Sequence, residues 1–386
     1  MSKSSFRGFG VALGGLIAMA AAMGVGRFVY TPIMPFMEAA LGLTKAEAGV
    51  LASMNFLGYL LGALAASASG VPGGRRLWFL GALAVSALST GAMGISSSIE
   101  IFLGLRFVGG VASAFVLVFA SALVLDRLAM AGRLGLSGLH FAGVGFGIAA
   151  SAIIVSGLSM AGYGWQALWL FSGAFSFLAL VAVALLIPNE EEPPTQVQAT
   201  KGTTLDRRLV FLVIAYGLFG FGYVITATFI STMVRSAPDI QFLERVIWLV
   251  VGVAGIPSVM FWNWVGQRWG LARGFAIACL VEAVGVAMSV VGTSASVIVA
   301  SAVLLGGTFM GISALGLVHA RRLSSGDVRR SLALMTAAFG LGQMIGPTFA
   351  GYAYGFDNSF LAPSLTAVAA LVIAAGLAIV PAPNRR

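Results

Sequence analysis

The chain has 386 residues, of which 59% are hydrophobic and only 9% charged, with a net charge of +9 and a mean hydropathy of +0.99. A soluble domain carries roughly 25% charged residues, so this chain has too few to coat a globule in water, and soluble enzymes and disordered chains are excluded. A polytopic helical membrane protein remains. A β-barrel would alternate apolar and polar residues over ~10-residue segments, whereas the apolar runs here are continuous and longer. The single cysteine, Cys279, rules out an internal disulfide framework and a cysteine-built zinc site. No metal or cofactor is expected.

A span needs about 20 mostly apolar residues, and the spans are read between charges. The first runs from Gly8 past Arg27 to about Met34. Ala48–Gly74, Leu77–Ile99 and Phe107–Leu125 follow. From Leu134 to Asn189 there is no Asp, Glu, Lys or Arg, and Ser159-Met-Ala-Gly-Tyr-Gly164 divides that stretch into two spans. At Pro188-Asn-Glu-Glu-Glu-Pro-Pro194 the chain turns polar, acidic and proline-rich, and 188–208 reads as a solvated linker. Six more spans follow: Leu209–Val234, Val246–Gln267, Gly274–Val291, Val297–Val318, Ser331–Gly355 and Leu361–Val380. The expected fold is an all-α polytopic membrane protein with twelve transmembrane helices in two six-helix halves, 1–187 and 209–386. Lys3 and Arg7 before an apolar run resemble a signal peptide, but with so many spans following an uncleaved first helix is the better reading.

Seventeen of the 22 basic residues fall on the side of the two chain ends and the linker. Only Lys45, Arg235 and Arg245 fall on the other, and Arg27 and Arg106 lie inside spans. This asymmetry predicts cytoplasmic termini in a cell inner membrane. It accounts for the positive charge by topology, so no nucleic-acid partner is expected.

The halves echo each other. Gly24-Val-Gly-Arg-Phe-Val-Tyr-Thr-Pro32 in the first helix registers with Gly220-Phe-Gly-Tyr-Val-Ile-Thr-Ala-Thr228 in the seventh, which sets Arg27 opposite Tyr223. Gly143-Val-Gly145 in the fifth matches Gly340-Leu-Gly342 in the eleventh, and Gly73-Gly-Arg-Arg76 matches Gly266-Gln-Arg-Trp-Gly270. Repeated halves of a transporter place the cargo site near the midplane between them.

With these motifs the chain resembles the major facilitator superfamily over essentially its whole length. The loop between helices two and three keeps only Gly74-Arg75-Arg76 of that family's Gly-x-x-x-Asp-Arg-x-Gly-Arg-Arg pattern, and the Asp is absent. Arg106-Phe-Val-Gly109-Gly110 matches its fourth-helix Arg-x-x-x-Gly motif. The stretch Gly26–Pro32 is similar to the YbfB/YjiJ-type branch. The resemblance implies two pseudo-symmetric halves, alternating access and no enzymatic activity.

Charges inside a membrane are costly and need a reason. Arg27 and Arg106 are expected at one depth, about 10 Å from the non-terminal face, and the family fold sets both beside the central cavity. With no Asp or Glu of the first half in that layer, two guanidiniums offer forked recognition to a carboxylate, sulfonate or phosphate. The competing reading has them bonding helix carbonyls or reaching outward. Tyr30, Asn55, Tyr223 and Gln343 are further cargo-binding candidates, and each is equally able to bond a neighbouring helix. Glu282 in helix nine and His140 in helix five are proton-coupling candidates, against structural readings as a neutral, hydrogen-bonded carboxyl in a peripheral helix and a packed ring. Glycine runs such as Gly143–Gly147 read as close helix packing, not nucleotide loops. The expectation is a monomeric, proton-coupled secondary transporter of a small organic anion. The alternative is a proton-linked exporter of multiple drugs or amphiphiles.

Overall fold

The computed structural model describes residues 3–68, 74–187, 206–292, 294–324 and 328–380. The linker 188–208 lies almost wholly outside them, as do Lys201, Arg385 and Arg386. Among the described residues there are fourteen α-helices and no strand.

The first half holds α1 (Lys3–Met19), α2 (Tyr30–Leu41), α3 (Lys45–Ala66), α4 (Arg75–Ala92), α5 (Ile99–Met130), α6 (Ser137–Met160) and α7 (Trp165–Leu186). The second holds α8 (Arg207–Arg235), α9 (Glu244–Gly255), α10 (Ser258–Trp269), α11 (Leu271–Val291), α12 (Ala295–Leu323), α13 (Val328–Asp357) and α14 (Leu361–Ala378). They make twelve rods, because α1 with α2 and α9 with α10 are each one broken rod. Ten are long and apolar enough to cross a membrane, and the α9–α10 rod, bent by 43°, is an eleventh. The twelfth, α4, has 18 residues and opens on two arginines.

Local chemistry sets the ends. Thr44 caps α3 in a capping box, accepting from Glu47 N while the Glu47 carboxylate accepts from Thr44 N. Asp206 caps α8. Gly42, at φ 68°, closes α2 in the left-handed region open to glycine. The expected first span ended near Met34, but the helix runs through Pro35 to Leu41. Pro35 sits one turn inside α2, where it interrupts few backbone bonds. The third rod stops at Ala92 where the apolar run extends to Ile99, because Met93 to Ile95 turn and 96–98 run irregularly into the Ser98 cap of α5.

Large apolar side chains lie both inside the bundle and on its outer faces. Leu185 is 80% exposed, and Leu178, Met260 and Ile153 are similarly bare. In water such a belt is untenable; against lipid chains it is the natural surface. The halves meet along α3 with α13 and α6 with α9, and α2 meets α8. The α6–α9 seam works because both partners lack side chains: a Cβ on Gly145 would lie 2.6 Å from Ile256 N. With an even number of rods, the start of α1 and the end of α14 share one end of the bundle. Gly42 and Ser236 mark the other, where the halves are sewn together by Ser53 with Thr348 and Thr31 with Ala227.

Candidate functional site

The first rod loosens at its centre. Ala20–Val25 form a π-helical stretch followed by a turn at residues 26–29, before α2 resumes. Gly24 permits this segment to lie against α6, since a Cβ there would come within 2.3 Å of Gly147 Cα. Arg27 sits in that break, 3% exposed. It lies deeper than expected, about 14 residues or ~21 Å from the helix end at Leu41, because α2 runs longer than its apolar run.

Arg27 reaches across the seam. Its Nη2 donates to Gln343 Oε1 at 2.7 Å, and Gln343 Nε2 bonds the Tyr223 hydroxyl. The positions opposed in the repeat therefore converge on one amide. The guanidinium carbon lies 3.9 Å from the Tyr59 ring centroid, 4.8 Å from Phe56 and 5.5 Å from Phe28. Its Nε has no hydrogen-bond partner, and among the described residues it makes no ion pair. On the far side, Tyr223 lies parallel to Phe339, 5.9 Å away at 4°, and to Phe309, 5.7 Å away at 12°. The site is thus a buried cation with an unused donor, faced by an aromatic wall.

Arg106 is used differently. Its Nε donates to Leu51 O at 3.3 Å and its Nη2 to Arg27 O at 3.5 Å, the carbonyl freed by the helix break. It lies over the Tyr30 ring at 4.6 Å, and Tyr30 donates to Ala48 O at 2.8 Å. Asn55 donates to Arg106 O at 2.9 Å, leaving Asn55 Oδ1 buried without a partner. Arg106, Tyr30 and Asn55 form a polar knot behind the Arg27 layer, while Arg27, Tyr223 and Gln343 form the cluster between the halves.

The two proton-coupling candidates stand apart from Arg27. His140 is fully buried against α1 and α5, its Nε2 3.1 Å from Ser121 Oγ, and Gly15 packs on its ring. Gly15 is about 18 Å along the first rod from Arg27. Glu282 is fully buried on α11, which packs on α8, α10, α12 and α14. The Thr308 hydroxyl of α12 lies beside its carboxyl. Among the described residues no cluster of metal-binding side chains occurs.

Tyr59, Phe56, Phe28, Phe309 and Phe339 do not stand out in the sequence. Tyr59 lies one turn beyond Asn55 and shares its face, which is a usable signal. The phenylalanines carry none, because apolar rings at helical spacing read as core.

Residues 19–379 match the family described as "Uncharacterised MFS-type transporter YbfB". No curated protein matches the sequence. Among solved structures, a mutant of the nucleoside transporter NupG is similar at TM-score 0.76 and 15% identity, covering 96% of this chain and 99% of that one. A second NupG structure gives a TM-score of 0.71 at 15% identity, with 96% and 98% covered. A bacterial homolog of the human lysosomal transporter Spinster, in an inward-facing and occupied conformation, gives 0.71 at 14% identity, with 98% and 97% covered. The likeness covers both halves and the seam between them, and the family match covers all but the chain ends: the chain is a multi-pass membrane transporter of the major facilitator superfamily, in its YbfB-type family.

Proposed function

We propose that this transporter moves a small organic anion across the cell inner membrane by alternating access, driven by protons, with both termini cytoplasmic and one chain as the working unit. The observation that carries the reading is Arg27: a guanidinium buried between the halves, free of any ion pair among the described residues, with an unused Nε–H. A carboxylate, sulfonate or phosphate would accept from that donor in forked geometry. The stacked rings of Tyr223, Phe309 and Phe339 favour a cargo whose body is flat and apolar.

Gln343 is the present acceptor for Arg27 and belongs to the other half. An anion taking that place would release the bond between the halves, which links occupancy to rocking. The aromatic wall also suits the alternative, a proton-linked amphiphile exporter. Against export of cations stands the fact that the ring-caged group is itself positive.

The test is direct binding to purified protein. A thermal-shift screen of organic anions and cations identifies a stabilising ligand, since a ligand bound to the folded state raises the melting temperature by mass action. For that ligand Arg27→Lys is expected to weaken binding about 10-fold or more, because the charge stays and the fork is lost. Arg27→Gln is expected to abolish it. Unchanged affinity in Arg27→Gln would sink the anion reading and move the amphiphile exporter ahead.

A further inference from the structure

A cleft of about 160 Å³ opens between the halves at the Gly42 end. Its lining includes Pro32 and Phe36 of α2, Ser156 of α6, Arg235 at the end of α8, and Arg245 and Trp248 of α9. Arg235 is committed: it pairs with Glu244 at 3.1 Å and lies over the Phe36 ring at 4.6 Å. Arg245 makes no ion pair among the described residues. Trp248 is 2% exposed, and its indole N–H has no hydrogen-bond partner. Being three positions after Arg245, it shares that helix face. A buried donor left unmade is costly, and here it belongs to the wall of a cleft that also holds the Ser156 hydroxyl, two arginines and one acid, Glu244, which pairs with Arg235 and also attracts Arg245, so one positive charge is left over.

The floor of this cleft is the ceiling of the Arg27 site. The Trp248 ring lies 6.5 Å from Phe28, and Phe28 lies 6.1 Å from Phe309 and 5.5 Å from the Arg27 guanidinium. One aromatic layer separates the two cationic sites.

We propose that the cleft is a second anion site on the transport route, where Arg245 and the Trp248 N–H hold the acidic head of an organic anion and Pro32 and Phe36 hold its apolar body. The ligand's identity rests on the anion reading of the Arg27 site; the cleft's selectivity does not. A lipid headgroup phosphate offers the same chemistry, so the test separates the two sources.

The probe is para-benzoylbenzoate, a photoreactive aryl carboxylate, with its neutral amide as control. It is irradiated with the purified full-length protein in nanodiscs, and labelled peptides are mapped by mass spectrometry. Met160, also in the lining, offers the reactive C–H bonds. The carboxylate is expected to label the cleft in the unmodified protein and in Arg27→Gln alike. Arg245→Gln and Trp248→Phe, which keeps a ring against Phe28, are each expected to lower cleft labelling by about 10-fold at unchanged melting temperature. Equal labelling by the amide, or undiminished labelling in both variants, overturns the proposal. Labelling should be the same in zwitterionic nanodiscs and in those containing phosphatidylglycerol. Suppression by phosphatidylglycerol would assign the cleft to lipid and overturn the cargo site. If Arg27→Gln leaves central binding intact while cleft labelling behaves as expected, the central reading fails and the cleft stands.

Discussion

Arg27 and Arg106 carry the same group at adjoining depth, yet the chain around them gives them different work. Two donors of Arg106 end on helix carbonyls and its plane rests on Tyr30. Removing its side chain strands those carbonyls and uncovers the Tyr30 ring, while the Asn55 bond to the backbone carbonyl of residue 106 stays, so Arg106→Leu is expected to cost about 2 kcal/mol. The check is a melting temperature lowered by several degrees in detergent, with or without ligand. A variant as stable as the parent but unable to bind would return Arg106 to the cargo site. Glu282 poses the opposite case. The Thr308 hydroxyl beside its carboxyl already donates to Leu304 O, so the carboxyl adds little that an apolar side chain of similar shape lacks. Glu282→Met is expected to match or exceed the parent's stability and to keep coupled transport. Loss of proton coupling at normal expression would make Glu282 a proton carrier. Arg27, Tyr223 and Gln343 are legible in the sequence as polar groups in apolar spans, and the first two stand opposite in the repeat. The division of labour between the arginines is not legible there, because it depends on which carbonyls a broken helix leaves free.

The elements follow from the sequence more fully than the site does, and their irregularities are where it falls short. Span number and order follow from charge-free runs, while the ends at Gly42, Thr44, Ser98 and Asp206 are set by caps that hydropathy does not mark. The π-helical break at Ala20–Val25 and the bend before Ser258 are not legible, since both lie within uninterrupted apolar runs and hydropathy has no term for backbone pitch. Glycine pairs carry partial information. The doublet spacing announces close packing, but not that Gly24 meets Gly147 inside one half while Gly145 meets Gly252 and Ile256 across the seam. That difference separates two outcomes. Gly24→Ala places a methyl against backbone within a half, where nothing can yield, and is expected to lower the folded yield severely by size-exclusion chromatography. Gly145→Ala places its methyl against α9 of the other half, which can rock away. It is expected to fold and to loosen the seam on the side of the chain termini, because Gly145 lies nearer Ser137 than Met160. Ser137→Cys in that background should then react faster with maleimide in detergent, against a low baseline because Cys279 is buried. Equal loss of folding in both variants would show that the seam is as rigid as the interior of a half.

At the scale of the molecule, the two halves are joined by polar contacts that a transport cycle must break. Glu38 of the first half accepts from Lys45 at 2.7 Å and from Thr232 of the second half at 3.3 Å. Lys45 in turn lies near the Tyr354 ring of α13. This end of the bundle thus has a charged contact that bridges the halves. Ser53 and Thr348 give the sharpest handle on it. Their hydroxyl oxygens are 2.8 Å apart across the α3–α13 seam, and Ser53 Oγ also accepts from Thr348 N at 3.2 Å. Two side chains in that contact are close enough for a disulfide to form with little backbone movement. The double variant Ser53→Cys, Thr348→Cys is therefore expected to cross-link on mild oxidation, and the buried Cys279 should not compete. If the halves separate at this seam in each cycle, oxidation abolishes transport in proteoliposomes, and dithiothreitol restores it. Binding at the Arg27 site should survive the cross-link when the ligand is added from the side of the chain termini, because the tie holds the arrangement seen here. Full transport by protein shown to be completely cross-linked would mean that this seam stays shut throughout, and that cargo passes without rocking of one half against the other.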